Sequence, residues 1–208
     1  MRNRFYILLV ATFFVAGCAS SDVGDYLKKQ ADNIKGIVDN KGESRKVFVD
    51  EVELEDVSDE VLEAIEAHNS AREDVNVDNG LSWDSSLAQA AQVYADKMAE
   101  EGLWEHDHDG NRKNNYGENL YTSSQEITLK DAVDAWVSEK EFYTIGNIGD
   151  DATCVEGEMC GHYTQIIWKK TSRVGCAKSQ YQTGDYKYWF IVVCKYQQPG
   201  NIIGEPPY

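Results

Sequence analysis

The sequence predicts an α+β domain, and three observations point to it. Segments after Val57 carry apolar residues at the spacing of a helix face, a β-rich pair of runs over 173–196 surrounds a turn, and four cysteines cluster in the last third. The chain has 208 residues, 42% hydrophobic and 27% charged, which suits one ordinary domain with extensions. Three prolines and the lack of any low-complexity tract oppose long disorder.

Residues 1–17 read as an export signal, with Arg2 and Arg4 as the basic start, Phe5 to Val15 as the apolar run, and small residues after it. That run is too short to cross a bilayer. The ending "VAGC" resembles a bacterial lipobox, which implies cleavage before Cys18 and lipidation of its thiol. Ordinary cleavage after the small residues would instead leave a freely secreted protein. Residues 18–57 are a polar, acidic spacer. Losing Arg2 and Arg4 with the signal leaves 18 basic against 36 acidic residues, a formal charge near −18. Such a charge opposes nucleic acid and anionic membrane surfaces, so any membrane attachment would come from lipid. The expected location is outside the cytoplasm, as a cell-envelope lipoprotein or an extracellular protein.

The folded domain is expected over 58–208. "SDEVLEAIEAHNSAREDV" predicts a helix capped at Ser58, with Val61, Leu62 and Ile65 on its apolar face. His68 lies on that face and reads as an interior ring. "LSWDSSLAQAAQVYADKMAEEG" predicts a second helix, capped by Asp84 or Ser85, striped by Leu87, Ala91, Tyr94 and Met98, and stopped by Gly102. "WEHDHDGNRKNN" reads as a polar loop and "YGENLY" as a strand.

"TLKDAVDAWVSEKEFY" predicts a third helix, with a capping-box start at Thr128 and Asp131 and a stripe of Leu129, Ala132, Val133 and Trp136. Glu139 falls roughly 80° from that stripe, at the rim between core and solvent. "GHYTQIIWKKTS" predicts a short fourth helix. "RVGCAKSQYQTGDYKYWFIVVCKY" predicts a hairpin turning tightly at Thr183, Gly184 and Asp185, with "YWFIVV" apolar enough for burial on both faces.

Five cysteines minus Cys18 leave four, an even number suited to an oxidising compartment. Four allow three pairings, and the local arrangement favours Cys154 with Cys160 around a short loop and Cys176 with Cys194 across the hairpin. No C-x-x-C pair of a zinc finger is present in the sequence.

Six pieces resemble, in order, the CAP superfamily of cysteine-rich secretory, antigen 5 and pathogenesis-related class 1 proteins, also called the SCP domain. They are "HNSAR", "LSWDSSLAQAAQVYA", "YGENLY", "AVDAWVSE", "CGHYTQIIWKKTSRVGCA" and "YWFIVVCKYQQPGN". The resemblance implies a three-layer α-β-α sandwich with a cleft of two histidines and two glutamates. By position these are His106 of "WEH", Glu118 of "YGEN", Glu139 of "WVSE" and His162 of "GHYTQ", with His108 in reserve for the first. Plant members have a third disulfide whose partner positions are not cysteine here. Lys195 stands where asparagine is common, and little functional effect is expected because it lies on the closing strand, away from the cleft.

Two imidazoles and two carboxylates suit Zn2+ or another divalent metal, with His106 and His162 as ligands. The same four residues also suit a metal-free arrangement in which each glutamate bonds a histidine and holds its tautomer. No "HExxH" or "GxSxG" occurs, so no catalytic residue is assigned. The expected function is therefore a non-enzymatic binding module for a small molecule, lipid or protein. The alternative is a zinc-dependent hydrolase, a peptidase or esterase, using the same cleft. The acidic loop "KEFYTIGNIGDDATCVEGEMC" argues against the sterol binding found in some family members.

Overall fold

A computed structural model of the chain describes residues 58–208. The expected signal at 1–17, the lipidated Cys18 and the spacer at 18–57 lie outside the described residues.

Four strands, β1 (Ser82–Trp83), β2 (Gly117–Ser123), β3 (Arg173–Gln180) and β4 (Phe190–Gln197), form one sheet in the order β1-β3-β4-β2. β1 runs parallel to β3, and the other pairs are antiparallel. Among the described residues, five α-helices accompany them: α1 (Asp59–Glu73), α2 (Ser85–Glu101), α3 (His108–Asn114), α4 (Leu129–Ser138) and α5 (Gly161–Ile166).

Strand alternation sorts the core into two halves. On β4, Ile191 and Val193 join Ala177 of β3 and Leu120 of β2 against Ala91, Tyr94, Ala95 and Met98 of α2. Val192, Cys194 and Tyr196 point the other way, with Val174 and Cys176 of β3, against α1, α4 and α5. Helices thus cover both faces of the sheet, as expected of an α-β-α sandwich. β4 is buried from Ile191 to Tyr196.

Gly175 of β3 faces α2, where a Cβ would lie 2.2 Å from the Ala88 backbone nitrogen. The helix can approach the strand this closely only because that side chain is missing. Ser58 precedes α1 as expected but makes no side-chain cap, whereas the starts of α2 and α4 follow the sequence reading. Asp84 accepts from Ser86 and Leu87 backbone N–H groups, and Thr128 and Asp131 form the reciprocal capping box. Both disulfides have the expected pairing, Cys154 with Cys160 and Cys176 with Cys194.

Three local expectations change. The segment read as a polar loop contains α3, which buries no residue; Asp107 caps its start by accepting from Gly110 N–H, and Asn115 ends it at φ 56°. The hairpin turn is not tight. Residues 181–189 form a longer connection seated on the end of α2, where Gln182 N–H donates to Ala99 and the Tyr181 hydroxyl to Leu103. The fourth helix stops at Ile166, so "WKKTS" lies beyond it.

Candidate functional site

Glu139 begins the 3-10 turn Glu139–Phe142 that follows α4. The chain tightens there, so the angle computed for a continuing α-helix does not hold, and Glu139 is buried at 8% exposure instead of sitting on the rim. Its carboxylate serves the start of α5. Oε2 accepts from the backbone N–H of His162 at 3.0 Å and of Tyr163 at 3.1 Å, while Oε1 meets His162 Nδ1 at 2.5 Å. A helix start exposes N–H donors that its own turns cannot satisfy. Cys160, at the N-cap, makes no side-chain cap because its sulfur is bonded to Cys154. Glu139 supplies the missing acceptor and, by the same contact, orients the His162 ring. Trp136 of α4 stacks on that ring at 5.9 Å, its indole N–H bonded to the Leu120 carbonyl.

Glu118 lies on β2 opposite Lys195 of β4. Its Oε1 meets His106 Nδ1 at 2.6 Å and accepts from Asp107 N–H at 3.1 Å. His106, not His108, is therefore the partner of Glu118; His108 starts α3 as an exposed residue. Oε2 of Glu118 accepts from Lys195 Nζ at 2.5 Å. Burial pushes the Glu118 carboxyl up, but the His106 hydrogen bond and the Lys195 ammonium outweigh it and hold the group below the usual carboxylate range.

Lys195 corrects the expectation from the sequence. It touches a cleft residue directly, at 1% side-chain exposure, and donates also to Asp107 Oδ2 at 3.1 Å and Asn111 Oδ1 at 2.6 Å.

β2 links the surroundings of the two His–Glu pairs. Asn119, next to Glu118, donates to the His162 carbonyl and to the Tyr196 hydroxyl, both at 3.1 Å. The Tyr196 hydroxyl lies 2.9 Å from His68 Nε2, and His68 Nδ1 lies 2.7 Å from the Ala64 carbonyl. A carbonyl only accepts, so the His68 proton sits on Nδ1 and Tyr196 donates to Nε2. Burial drives His68 down to about 4, which keeps the ring neutral, as an interior histidine should be. Arg72, buried beside it, donates to the carbonyls of Ile166, Trp168, Thr171 and Asn79 and so ties the end of α5 to α1. Among the described residues, every buried side-chain nitrogen and oxygen has a hydrogen-bond partner.

A family model described as the cysteine-rich secretory protein family, CAP, matches residues 65–196. The chain belongs to this family. It is 43% identical over 145 residues to pathogenesis-related protein 1C of Nicotiana tabacum, covering 69% of this chain and 78% of the relative. It is 41% identical to the PR-1 type pathogenesis-related protein of Sambucus nigra, over 69% of this chain and 79% of that one. Among solved structures, the crystal structure of NaASP2 with Zn2+ superposes with a TM-score of 0.58 at 24% identity, covering 73% of this chain and 86% of the other. The family is by its description a secretory one, which agrees with an exported protein.

In this CAP domain both cleft imidazoles are engaged through Nδ1. No hydrogen bond to Nε2 of His106 or His162 occurs among the described residues. A carboxylate on one ring nitrogen is the arrangement that orients metal-binding histidines. Taken ring by ring, the donor chemistry is that of a metal-binding imidazole. The glutamates are spent as orienting groups, and among the described residues no set of three or more His, Cys, Asp or Glu side chains is placed to hold a metal.

Asp107, Asn111, Asn119, Tyr196, Arg72 and Lys195 are the supporting residues that the motif reading left out. Lys195 alone carried a local signal, since it shares the inward face of β4 with Ile191 and Val193.

Proposed function

We propose that this protein is an exported, non-enzymatic CAP-domain binding module whose His106 and His162 rings can hold Zn2+ or another divalent metal beside a ligand cleft. The observation that carries the reading is the anchoring of both rings through Nδ1, which leaves both Nε2 edges available. Zinc is the first ion to test, because the crystal structure of NaASP2 is one with Zn2+. A bound divalent ion would supply a Lewis-acid contact to an oxygen or nitrogen of the ligand. Other coordination positions would fall to water or ligand, since Glu118 and Glu139 stay on their histidines.

An open pocket of about 640 Å3 has Val75, Tyr143, Ile145, Tyr163 and Tyr208 together with the charged Asp74, Lys140 and Glu141 in its walls, and none of the two histidines and two glutamates lines it. Tyr163 is the residue after His162. The loop before α5 exposes Ile145, Val155 and Met159 at 55–63%, more apolar surface than its acidic sequence suggests. These features support an amphipathic small molecule, a lipid or a protein segment as the ligand. N-terminal lipidation at Cys18 is the proposed membrane attachment, and intact mass of the mature protein tests it.

The carboxylates favour binding over hydrolysis. A general base must be free to take a proton from water, whereas each oxygen of Glu118 and Glu139 already accepts from a ring, a backbone N–H or Lys195. The deciding experiment is a calorimetric titration of Zn2+ into the full chain, with His162→Ala and Glu118→Ala alongside. Binding by wild type that both variants lose supports the reading; no binding by wild type removes the metal from it. Zinc-dependent turnover of ester or peptide substrates would instead establish the hydrolase.

A further inference from the structure

The open pocket of about 640 Å3 shares no residue with the two His–Glu pairs, and its size is that of a small-molecule site. Tyrosines dominate its walls. Tyr143 and Tyr163 meet edge to face at 5.8 Å with their planes 65° apart, which makes a corner, and Tyr208 adds a third ring. The fold holds this corner in place. Tyr143 pairs with Cys154 in an isolated antiparallel bridge, Cys154 is tied to Cys160, and the backbone N–H of Tyr163 donates to Glu139. Tyr208 follows Pro207, whose carbonyl accepts from Lys169 N–H at 2.7 Å. A binding surface fixed beforehand loses little freedom when a ligand arrives.

Tyr163 has one group that the fold leaves unused. The residue is buried at 4% exposure, yet its hydroxyl has no hydrogen-bond partner among the described residues, where every sealed side-chain oxygen has one. The hydroxyl therefore opens on the space that Tyr163 lines, which is the pocket. It is a hydrogen-bonding position kept for water or a ligand.

Charge selects the kind of ligand. Asp74 and Glu141 bring two negative charges to the walls against one positive charge from Lys140, whose Nζ already lies 3.5 Å from Asp74 Oδ2. The chain as a whole carries −16, a field that draws cations and repels carboxylates. Tyrosine ring faces are the negative part of a quadrupole and attract an ammonium group. Both effects point the same way, whereas an anionic ligand would find only a lysine that already faces Asp74.

We propose that this pocket is a binding site for a small organic cation, an amine or quaternary ammonium whose charge sits among Tyr143, Tyr163 and Tyr208 and whose polar end bonds the Tyr163 hydroxyl. This rests on the reading of the domain as a ligand-binding module and names the class of ligand, without calling on the metal.

The test is an amide NMR titration of the full chain, kept metal-free with EDTA. Three probes of similar shape are compared: choline, its uncharged analogue with carbon in place of the nitrogen, and the anion tert-butylacetate. Choline is expected to shift the backbone amides of Tyr143 and Tyr163 saturably and to bind about tenfold more tightly than the uncharged analogue, the scale of a cation–π attraction. Tyr208→Leu should weaken choline by about three- to tenfold, and Tyr163→Phe, which removes one oxygen and keeps the ring, by a similar factor. The comparison of probes needs no variant, so it decides even where a variant fails to fold. Equal binding of choline and its uncharged analogue, tighter binding of tert-butylacetate, shifts that do not saturate or lie away from the pocket, or folded variants that bind choline as wild type does would overturn the proposal. A chain that ignores zinc loses the metal on His106 and His162 and keeps this site; a chain that ignores choline loses this site and keeps the metal.

Discussion

Glu139 holds His162 at ring and backbone together: Oε1 lies 2.5 Å from Nδ1, and Oε2 accepts the His162 and Tyr163 backbone N–H groups at 3.0 and 3.1 Å. One carboxylate thus caps a helix and orients the His162 ring. Glu139→Ala would strip the acceptor from two backbone donors at the start of α5. Leaving buried donors unpaired costs about 1–3 kcal/mol each at most, so urea denaturation should report a loss of about 2–3 kcal/mol. A loss below about 0.5 kcal/mol, the size expected of an ordinary surface change, would contradict this role.

Acid stability should carry the mark of His68. Its ordinary value of 6.5 drops to about 4 on burial, so between those values the unfolded chain binds a proton that the folded chain does not. Stability is then full above about pH 6.5 and falls by about 3 kcal/mol as pH drops towards 4. Glu118 acts in a lower window. Its depressed carboxyl contributes stability above the ordinary carboxylate value of 4.5, and that contribution fades as pH falls through the folded-state value. A His68→Leu variant, weaker at every pH, should lack the slope between pH 6.5 and 4. If the slope persists in that variant, another group causes it.

The disulfides should differ in worth. Cys154 and Cys160 are six residues apart and Cys176 and Cys194 eighteen, so loop entropy gives about 2 and about 3 kcal/mol respectively. Paired Cys→Ser variants measured by denaturant unfolding should follow that order. The shorter bridge has the larger functional effect, because it sets the loop that leads into α5 and His162. Its removal should weaken zinc binding more than removal of the bridge between β3 and β4.

Gly175→Ala should be among the most damaging single changes in the sheet. The added methyl would meet the backbone of α2 at 2.2–2.7 Å, with no flexible side chain to give way. Overpacking of this kind costs about 3 kcal/mol or more. A variant as stable as wild type would mean that α2 can lift off the strand at little cost.

Much of this architecture was legible because local signals agreed with the fold. α2 and α4 have both a stripe and a cap, and the buried run of β4 has no polar interruption before Lys195. β1 was missed because its two residues pair with β3, from the far end of the sequence, and have no pattern of their own. α3 was missed because it has no apolar face; Asp107, Asn115 and the pull of Lys195 on Asn111 define it. His106 and His162 could be placed by motif. Their orientation could not, because the groups that set it come together only in the fold. Lys195 shows the limit most clearly: its inward position was readable from strand alternation, whereas its counter-charges at 107 and 118 were not.

In the proposed function, His106 and His162 present free Nε2 edges to a metal-assisted ligand site. The chain has four histidines, so ring-nitrogen NMR during a Zn2+ titration of the full chain can follow each one. His106 and His162 should show zinc-dependent shifts at Nε2 together, while His68, sealed between Ala64 and Tyr196, and the exposed His108 stay unchanged. Shifts at His108 alone, or none at the His106 and His162 pair with zinc in excess, would rule out a metal on these two rings.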